Sequence, residues 1–174
     1  MKLVRFSSLR NNKLKYGIIK KNIITPILNS IYDNNFNLDT ENQLDLKDCR
    51  LHLPINPSKI IGVAQNFKKR NIKNDPLFFL KSSNSLVLQD KKIKIQTKYN
   101  VWGESELAFV VKKKIKKNIP LIECKKYILG YTIANDITAS FDNDHDHHLA
   151  LSKSLDNFCP IANFVETNYN FKDK

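Results

Sequence analysis

The sequence is poor in cysteine and has no long apolar run. Its three cysteines, Cys49, Cys124 and Cys159, are odd in number and widely spaced, which fits neither a CxxC metal site nor a disulfide framework. No run of 18 or more apolar residues is present, which argues against a transmembrane helix. The opening segment 1–6 lacks the apolar core of a signal peptide. We therefore expect reduced thiols in a soluble, cytoplasmic protein that does not enter membranes.

Acidic residues are also scarce. The chain has 17 Asp and Glu against 29 Lys and Arg, a formal net charge of +12. Such an excess can indicate nucleic-acid binding, because Lys and Arg neutralise phosphates. Here the lysines are scattered among Asn and Ile, and the densest run, 112–117, directly follows a predicted strand. Basic and aromatic residues do not interleave on any one element, so a basic nucleic-acid-binding protein is only a remote alternative to a solvated surface.

Short apolar segments rather than helical patterns organise the chain. We predict a β-rich α+β fold with a small N-terminal β module over residues 1–52 and a second domain over residues 58–174. Pro54 and Pro57 mark the linker between them, since proline blocks both helix and central strand. One short helix is predicted from Pro120 to Gly130. Strands of the second domain are predicted at 59–64, 77–80, 85–88, 107–111 and 131–136.

Two glutamates one residue apart, Glu104 and Glu106, open the apolar segment 107–111. On a β-strand, residues i and i+2 project from the same face at roughly 7 Å separation. Two carboxylates held that close repel each other unless a cation or a shared proton compensates them. The pair therefore suggests a hard divalent metal with oxygen ligands, and the alternative is a solvated strand end.

A third acid, Asp136, ends the apolar segment 131–136. A single strand-end Asp is more often a turn former than a ligand. Its significance comes from its combination with Glu104, Glu106 and a later lysine, Lys153. Trp102, just ahead of the glutamates, is expected to pack beneath the acids. Lys81 is expected to approach the site from its strand, without an assigned role.

Together with other segments, these acids and Lys153 resemble the fumarylacetoacetate hydrolase family in its bacterial and archaeal form. The similarity runs along nearly the whole chain, in the family's order and spacing. The segments that carry it are 1–6 with Tyr16-Gly17, Asn56-Pro57-Ser58-Lys59-Ile60-Ile61-Gly62-Val63-Ala64, Phe78-Phe79-Leu80-Lys81 with 82–87, Glu104-Ser105-Glu106-Leu107-Ala108, Gly130-Tyr131-Thr132-Ile133-Ala134-Asn135-Asp136 with 137–139, and Ser152-Lys153-Ser154 with Phe158-Cys159-Pro160.

The resemblance implies a mixed β-sandwich roll and a Mg²⁺ or Mn²⁺ site ligated by Glu104, Glu106 and Asp136. It also implies that Lys153 is a catalytic and substrate-binding residue that contacts a carboxylate or enolate oxygen. The expected function is metal-dependent carbon–carbon bond hydrolysis, decarboxylation or isomerisation of a 2-oxo or 1,3-diketo acid. A metal acting as a Lewis acid would stabilise the enolate that all three reactions share.

The chain departs from the family pattern at several positions. Arg70 and Lys73 stand where hydrolytic members carry the His and Glu that activate water, and Ser140 stands where an Arg binds substrate. Neither Arg70 nor Lys73 is an ordinary general base near neutral pH. The sequence also ends at Lys174, before the family's C-terminal part. Enzymatic activity is therefore uncertain. The alternatives are a homo-oligomer or a complementing C-terminal polypeptide that completes the site, and a truncated non-catalytic homologue that keeps only the metal cradle.

A loop rich in Asp and His follows Ser140. A substitute base from His145, His147 or His148 would rescue catalysis. The segment 144–148 also has the ligand types of a transition-metal site, although a solvated polar loop is the commoner outcome for such a run.

Overall fold

The computed structural model describes residues 1–64, 66, 76–95, 99–140 and 149–169. Strands dominate this part of the chain. In chain order they are β1 (Lys2–Ser8), β2 (Asn11–Lys20), β3 (Ile23–Pro26), β4 (Leu44–Asp45), β5 (Cys49–His52), β6 (Ile60–Ala64), β7 (Leu77–Lys81), β8 (Leu86–Leu88), β9 (Asn100–Trp102), β10 (Ser105–Val111), β11 (Ile128–Asn135), β12 (Thr138–Ser140), β13 (Cys159–Ile161) and β14 (Val165–Glu166). The helical segments are α1 (Leu149–Lys153) and the 3₁₀ helices Leu46–Asp48, Ser83–Ser85 and Leu121–Tyr127.

By its internal contacts the chain forms two compact units. Unit 1 comprises residues 1–55, 107–133 and 162–174, and unit 2 comprises residues 56–106 and 134–161. The change from unit 1 to unit 2 after residue 55 falls at the proline-containing linker. The division into a module over 1–52 and a domain over 58–174 stays a prediction.

Unit 1 is built around β1, whose side chains are almost completely buried at Leu3, Val4 and Phe6. β1 pairs antiparallel with β2, β5 and β14, and its register sets Leu3 opposite both Ile18 and Val165. Apolar side chains thus meet on both sides of the strand, and their burial supplies the main favourable free energy of this unit.

Unit 2 combines antiparallel and parallel strand pairs. β6 pairs antiparallel with β7, and β9 with β12, whereas β13 runs parallel to β8 with Cys159 opposite Leu86. Its apolar core consists of Ile137, Ala139 and Phe158, with further apolar side chains packed around them. The predicted β-rich fold with mixed strand pairing is confirmed.

The segment after Pro120 differs from the predicted helix. It forms a 3₁₀ helix that ends at Tyr127, and β11 begins at Ile128, so the predicted helix end at Gly130 is wrong. Gly130 has another role. A Cβ at this position would lie 2.5 Å from the carbonyl oxygen of Glu166, so the glycine permits the close approach of β14.

Within the described residues, the structure contains no helix whose length and apolar character would suit a bilayer span.

Candidate functional site

Glu104 and Asp136 lie together because of the pairing between β9 and β12. The antiparallel register sets Trp102 opposite Thr138, and continuing it by two residues brings Glu104 opposite Asp136. The backbone N–H of Asp136 donates to the carbonyl oxygen of Glu104 at 2.8 Å. Two acids that are 32 positions apart in the chain are thereby held at the same end of one strand pair.

The ammonium group of Lys153 lies between these two acids. Lys153 is the last residue of α1, and its side chain is only 9% exposed. Nζ donates to Glu104 Oε2 at 2.7 Å, to Asp136 Oδ2 at 2.7 Å and to Thr138 Oγ1 at 2.6 Å. An ammonium has three protons, so these partners satisfy it fully.

The contact between Lys153 and Glu104 favours the charged form of each side chain. Burial by itself acts to lower the pKa of Lys153, but the hydrogen bonds to Asp136 and Glu104 raise it above its ordinary value. Burial likewise acts to raise the pKa of Glu104, but the hydrogen bonds from Lys153 and Trp102 bring it below its ordinary value. Lys153 is therefore a cation and a hydrogen-bond donor, and it is not a general base at neutral pH.

Glu106 lies near the other two acids but is not part of their hydrogen-bond network. Its pKa is raised by burial and then by the negative charges of Asp136 and Glu104, which shows that the three carboxylates share one electrostatic environment. In the part of the chain that the structure describes, no hydrogen bond reaches the Glu106 carboxylate. An added cation would relieve this repulsion.

Lys81, to which sequence reasoning assigned no role, reaches the same site from the end of β7. Its Nζ donates to Asp136 Oδ1 at 2.5 Å and to the carbonyl oxygen of Ile137 at 3.2 Å. The sequence shows only a lysine at the end of an apolar strand, a position that is usually solvated, so nothing in it indicated that Lys81 is buried. Thr138 accepts a hydrogen bond from the Lys153 ammonium. Apart from its proximity to Asp136, nothing in the sequence indicated that Thr138 belongs to the site.

Trp102 differs from its expected packing role. Its side chain is exposed to 45%, and its indole Nε1 donates to Glu104 Oε1 at 3.3 Å. The expectation that Trp102 packs beneath the acids is therefore wrong. The residue instead contributes to the orientation of Glu104, whose other oxygen faces Lys153.

The metal triad predicted from the sequence stays a prediction. No group of three or more His, Cys, Asp or Glu side chains in the described ranges is arranged as a set of metal ligands. Glu104 and Asp136 do share one cation, the Lys153 ammonium, and their oxygens are of the type that Mg²⁺ and Mn²⁺ prefer. The donor chemistry of the three acids therefore fits a hard divalent ion.

Several other predicted positions lie outside the described residues. They are Arg70, Lys73 and the segment 144–148 with His145, His147 and His148. Ser140, which stands where the resemblance places an Arg, lies in β12 opposite Asn100.

Comparison with known proteins identifies relatives of this chain. Residues 55–174 match the protein-family model described as the C-terminal domain of fumarylacetoacetate (FAA) hydrolase. An uncharacterized protein of Methanocaldococcus jannaschii is 40% identical over 115 residues, which cover 62% of this chain and 48% of that protein. A mitochondrial oxaloacetate tautomerase of Xenopus laevis is 32% identical over 129 residues, which cover 68% of this chain and 40% of the relative. The chain thus spans about half the length of the curated relatives it matches.

Solved structures show the same fold. The 5-carboxymethyl-2-hydroxymuconate delta-isomerase of Mycobacterium smegmatis superposes with a TM-score of 0.86 at 28% identity, covering 98% of this chain and 68% of that one. A maleylpyruvate hydrolase from a Sphingobium species, solved in complex with manganese(II) ion and pyruvate, has a TM-score of 0.66 at 19% identity and covers 96% of this chain and 67% of that one. This second similarity shows the fold alone.

Proposed function

Because the chain belongs to the fumarylacetoacetate hydrolase family, we propose that it acts on a small 2-oxo acid with a divalent cation, Mg²⁺ or Mn²⁺, held by Glu104, Glu106 and Asp136. The reactions that its residues support best are keto–enol isomerisation and decarboxylation, which share an enolate. Relatives bear isomerase and tautomerase names. The family acts on small organic acids, and the particular substrate and reaction are part of the proposal.

The observation that carries this proposal is the position of the Lys153 ammonium, 2.7 Å from both Glu104 Oε2 and Asp136 Oδ2. A buried cation at the edge of a carboxylate cluster is suited to bind the carboxylate of a 2-oxo acid. When bound, the divalent cation supplies Lewis-acid polarisation of the substrate carbonyl.

The contribution of Lys153 is charge and orientation rather than proton abstraction. Its raised pKa keeps it protonated. Its three protons are directed to Glu104, Asp136 and Thr138. A divalent cation that compensated the two acids would free one of these protons to donate to the substrate carboxylate or to the enolate oxygen as negative charge develops there. Hydrolysis is less favoured, because the resemblance places Arg70 and Lys73 at the positions where hydrolytic members carry a water-activating His and Glu.

The test is an assay of the purified chain with oxaloacetate and with acylpyruvates, in the presence of Mn²⁺ and after chelation. We expect enol–keto conversion or release of CO₂ that depends on the metal and falls by about 10²-fold or more in Lys153→Met. Lys59→Met, which removes an exposed lysine of the same unit, is the matched control. Metal-independent turnover, or an unchanged rate in Lys153→Met, would contradict the proposal.

A non-catalytic homologue is the second candidate. The replacement of both water-activating residues by Arg70 and Lys73 favours it. In that case the chain would bind Mn²⁺ in equilibrium titration but would turn over none of these acids.

The partner expectation also stays a proposal. Ile61, Phe78 and Leu80 are each about 60% exposed and face the same side of the β6–β7 pair. We propose that a second copy of the chain or a complementing polypeptide covers this apolar face, since large exposed apolar patches mark interaction sites. Light scattering of wild type and of Phe78→Asp would test it, with a reduced mass expected only for the variant if copies of this chain associate.

A further inference from the structure

Lys81 is one of the most deeply buried charged residues in unit 2. Its side chain is only 3% exposed, and its ammonium contacts Asp136 Oδ1 at 2.5 Å and the carbonyl oxygen of Ile137 at 3.2 Å. Lysine is almost never fully buried unless it is paired, because an uncompensated charge in the interior is costly. The contact with Asp136 gives this deeply buried ammonium its carboxylate partner.

The two oxygens of the Asp136 carboxylate are held by two different lysines. Lys81 Nζ contacts Oδ1 at 2.5 Å, and Lys153 Nζ contacts Oδ2 at 2.7 Å. Because each oxygen has its own cationic partner, rotation of the carboxylate would break one charge-assisted hydrogen bond to improve the other. The plane of the carboxylate is thereby fixed.

The backbone that carries the two lysines is itself joined. Each lysine is followed by a serine, Ser82 after Lys81 and Ser154 after Lys153. The Ser82 N–H donates to Ser154 Oγ at 3.1 Å, and Ser82 Oγ donates to the Ser154 carbonyl oxygen at 2.8 Å. These paired hydrogen bonds hold the end of β7 beside the end of α1, so both ammonium groups arrive at one carboxylate.

We propose that Lys81 is a positioning residue for Asp136. The Ser82–Ser154 contact sets the distance between Lys81 and Lys153. By holding Oδ1, Lys81 keeps Oδ2 directed toward Lys153 and toward the cation that the proposed function places at Glu104, Glu106 and Asp136. This inference rests on that proposed function. Partners of metal-ligating carboxylates orient the ligands, and their loss typically weakens metal affinity by 10- to 100-fold.

The test is the Mn²⁺ dissociation constant, measured from the electron paramagnetic resonance signal of free Mn²⁺ in titrations of the full chain. We expect about 10-fold weaker binding or more in Lys81→Met. Lys91→Met, at an exposed lysine of the same unit, should bind as wild type does. A Lys81→Met protein that folds and binds Mn²⁺ as tightly as wild type, or more tightly, overturns the inference. A merely structural role would lower the unfolding midpoint but leave the dissociation constant unchanged.

A milder variant covers the case in which Lys81→Met does not fold. Ser154→Ala keeps both ammonium groups and removes the 3.1 Å hydrogen bond from the Ser82 N–H, together with the 3.4 Å hydrogen bond that Ser154 Oγ donates to the Leu80 carbonyl oxygen. We expect its Mn²⁺ affinity to fall by a few-fold, in line with the loss of one outer contact. Wild-type affinity in Ser154→Ala overturns the role of the serine contact.

The two proposals fail in distinguishable ways. If wild type itself binds no Mn²⁺, the proposed function fails and the positioning role toward a metal fails with it. If wild type binds Mn²⁺ and Lys81→Met binds it equally well, only the positioning role fails.

Discussion

The amide group of Asn135 lies directly against the backbone of Gly103, so a Cβ at Gly103 would come within 2.6 Å of Asn135 Oδ1. Each residue immediately precedes one of the site acids, Glu104 and Asp136. The contact therefore determines how closely the two acid-bearing segments approach each other.

We predict that Gly103→Ala lowers the free energy of unfolding by about 1–3 kcal/mol, because Asn135 must move and overpacking is costly. The shift should also lengthen the 2.8 Å hydrogen bond between Asp136 N–H and the Glu104 carbonyl and weaken Mn²⁺ binding. Chemical denaturation and Mn²⁺ titration measure the two effects. Gly17→Ala in unit 1 is the comparison, since a Cβ there would come within 2.8 Å of Ile24 Cγ2, so this variant should also lose stability but keep the wild-type Mn²⁺ affinity. Mn²⁺ affinity equal to wild type in Gly103→Ala would contradict the second part.

Removal of the Glu106 charge should have opposite effects with and without metal. Burial, and then the charges of Asp136 and Glu104, raise the pKa of Glu106, so the ionised form costs stability as pH rises through that pKa. We predict that Glu106→Gln raises the unfolding midpoint of the metal-free protein at pH 7. The variant should also lose most of the increase in unfolding free energy that Mn²⁺ gives wild type. That increase is about 2.7 kcal/mol when Mn²⁺ is at 100 times its dissociation constant. Differential scanning fluorimetry with and without Mn²⁺ measures both effects.

The control for this experiment is Glu41→Gln, at an exposed position of unit 1. It should change neither the metal-free midpoint nor the response to Mn²⁺. An equal Mn²⁺ response in Glu106→Gln and wild type would remove Glu106 from the proposed ligands.

Replacement of Lys153 should make the fold depend more on metal. Lys153→Met leaves Asp136, whose side chain is 11% exposed, and Glu104 with less compensating charge. We expect a loss of about 3 kcal/mol in unfolding free energy, at the lower end for a broken buried pair because Glu104 is partly exposed. Mn²⁺ should then raise the midpoint of Lys153→Met by more than it raises that of wild type. An equal or smaller gain in the variant would show that the ammonium and the cation do not share the same acids.

A separate pH effect is expected in unit 1. Burial, and then the positive charges of Arg5 and Arg50, lower the pKa of His52 below its model-compound value of 6.5. A histidine with a depressed pKa contributes stability above the unfolded value, and this contribution is lost as the pH falls from 6.5 through the folded value. We predict that His52→Gln, which can keep a hydrogen bond with Ser7, loses less stability than wild type over that range. Urea denaturation between pH 7.5 and about pH 5 measures the difference. Parallel curves for the two proteins would contradict it.

The sequence predicted the strands well and the contacts of the site only in part. Runs such as 60–64 and 107–111 are apolar and β-branched, and such runs form strands wherever they can be buried. Glu104 lies beside Asp136 because of the β9–β12 register. The pattern of apolar and polar residues in the sequence did not specify this register. Only the family resemblance brought these acids together before the fold was known.

The contact of Lys81 with Asp136 and the end of the 3₁₀ helix were not predicted, for physical reasons. A lysine at the end of an apolar strand is usually solvated, whereas the ammonium of this one is held by Asp136 and by the carbonyl oxygen of Ile137. The predicted helix end at Gly130 rests on the frequency of glycine at helix ends, whereas the role of Gly130 is set by a distant neighbour, Glu166. Local patterns do not report contacts of such long sequence separation.

The parallel pairing of β8 with β13 has a consequence for the time course of folding. Leu86 and Cys159 pair only after the chain between them has formed a long crossover. Contacts between residues so far apart in the sequence form slowly. Lys81 precedes this crossover, whereas Glu104, Asp136 and Lys153 lie within it. Nascent chains should therefore complete their charged cluster late. The proposed Mn²⁺ binding should begin only after β13 has paired with β8.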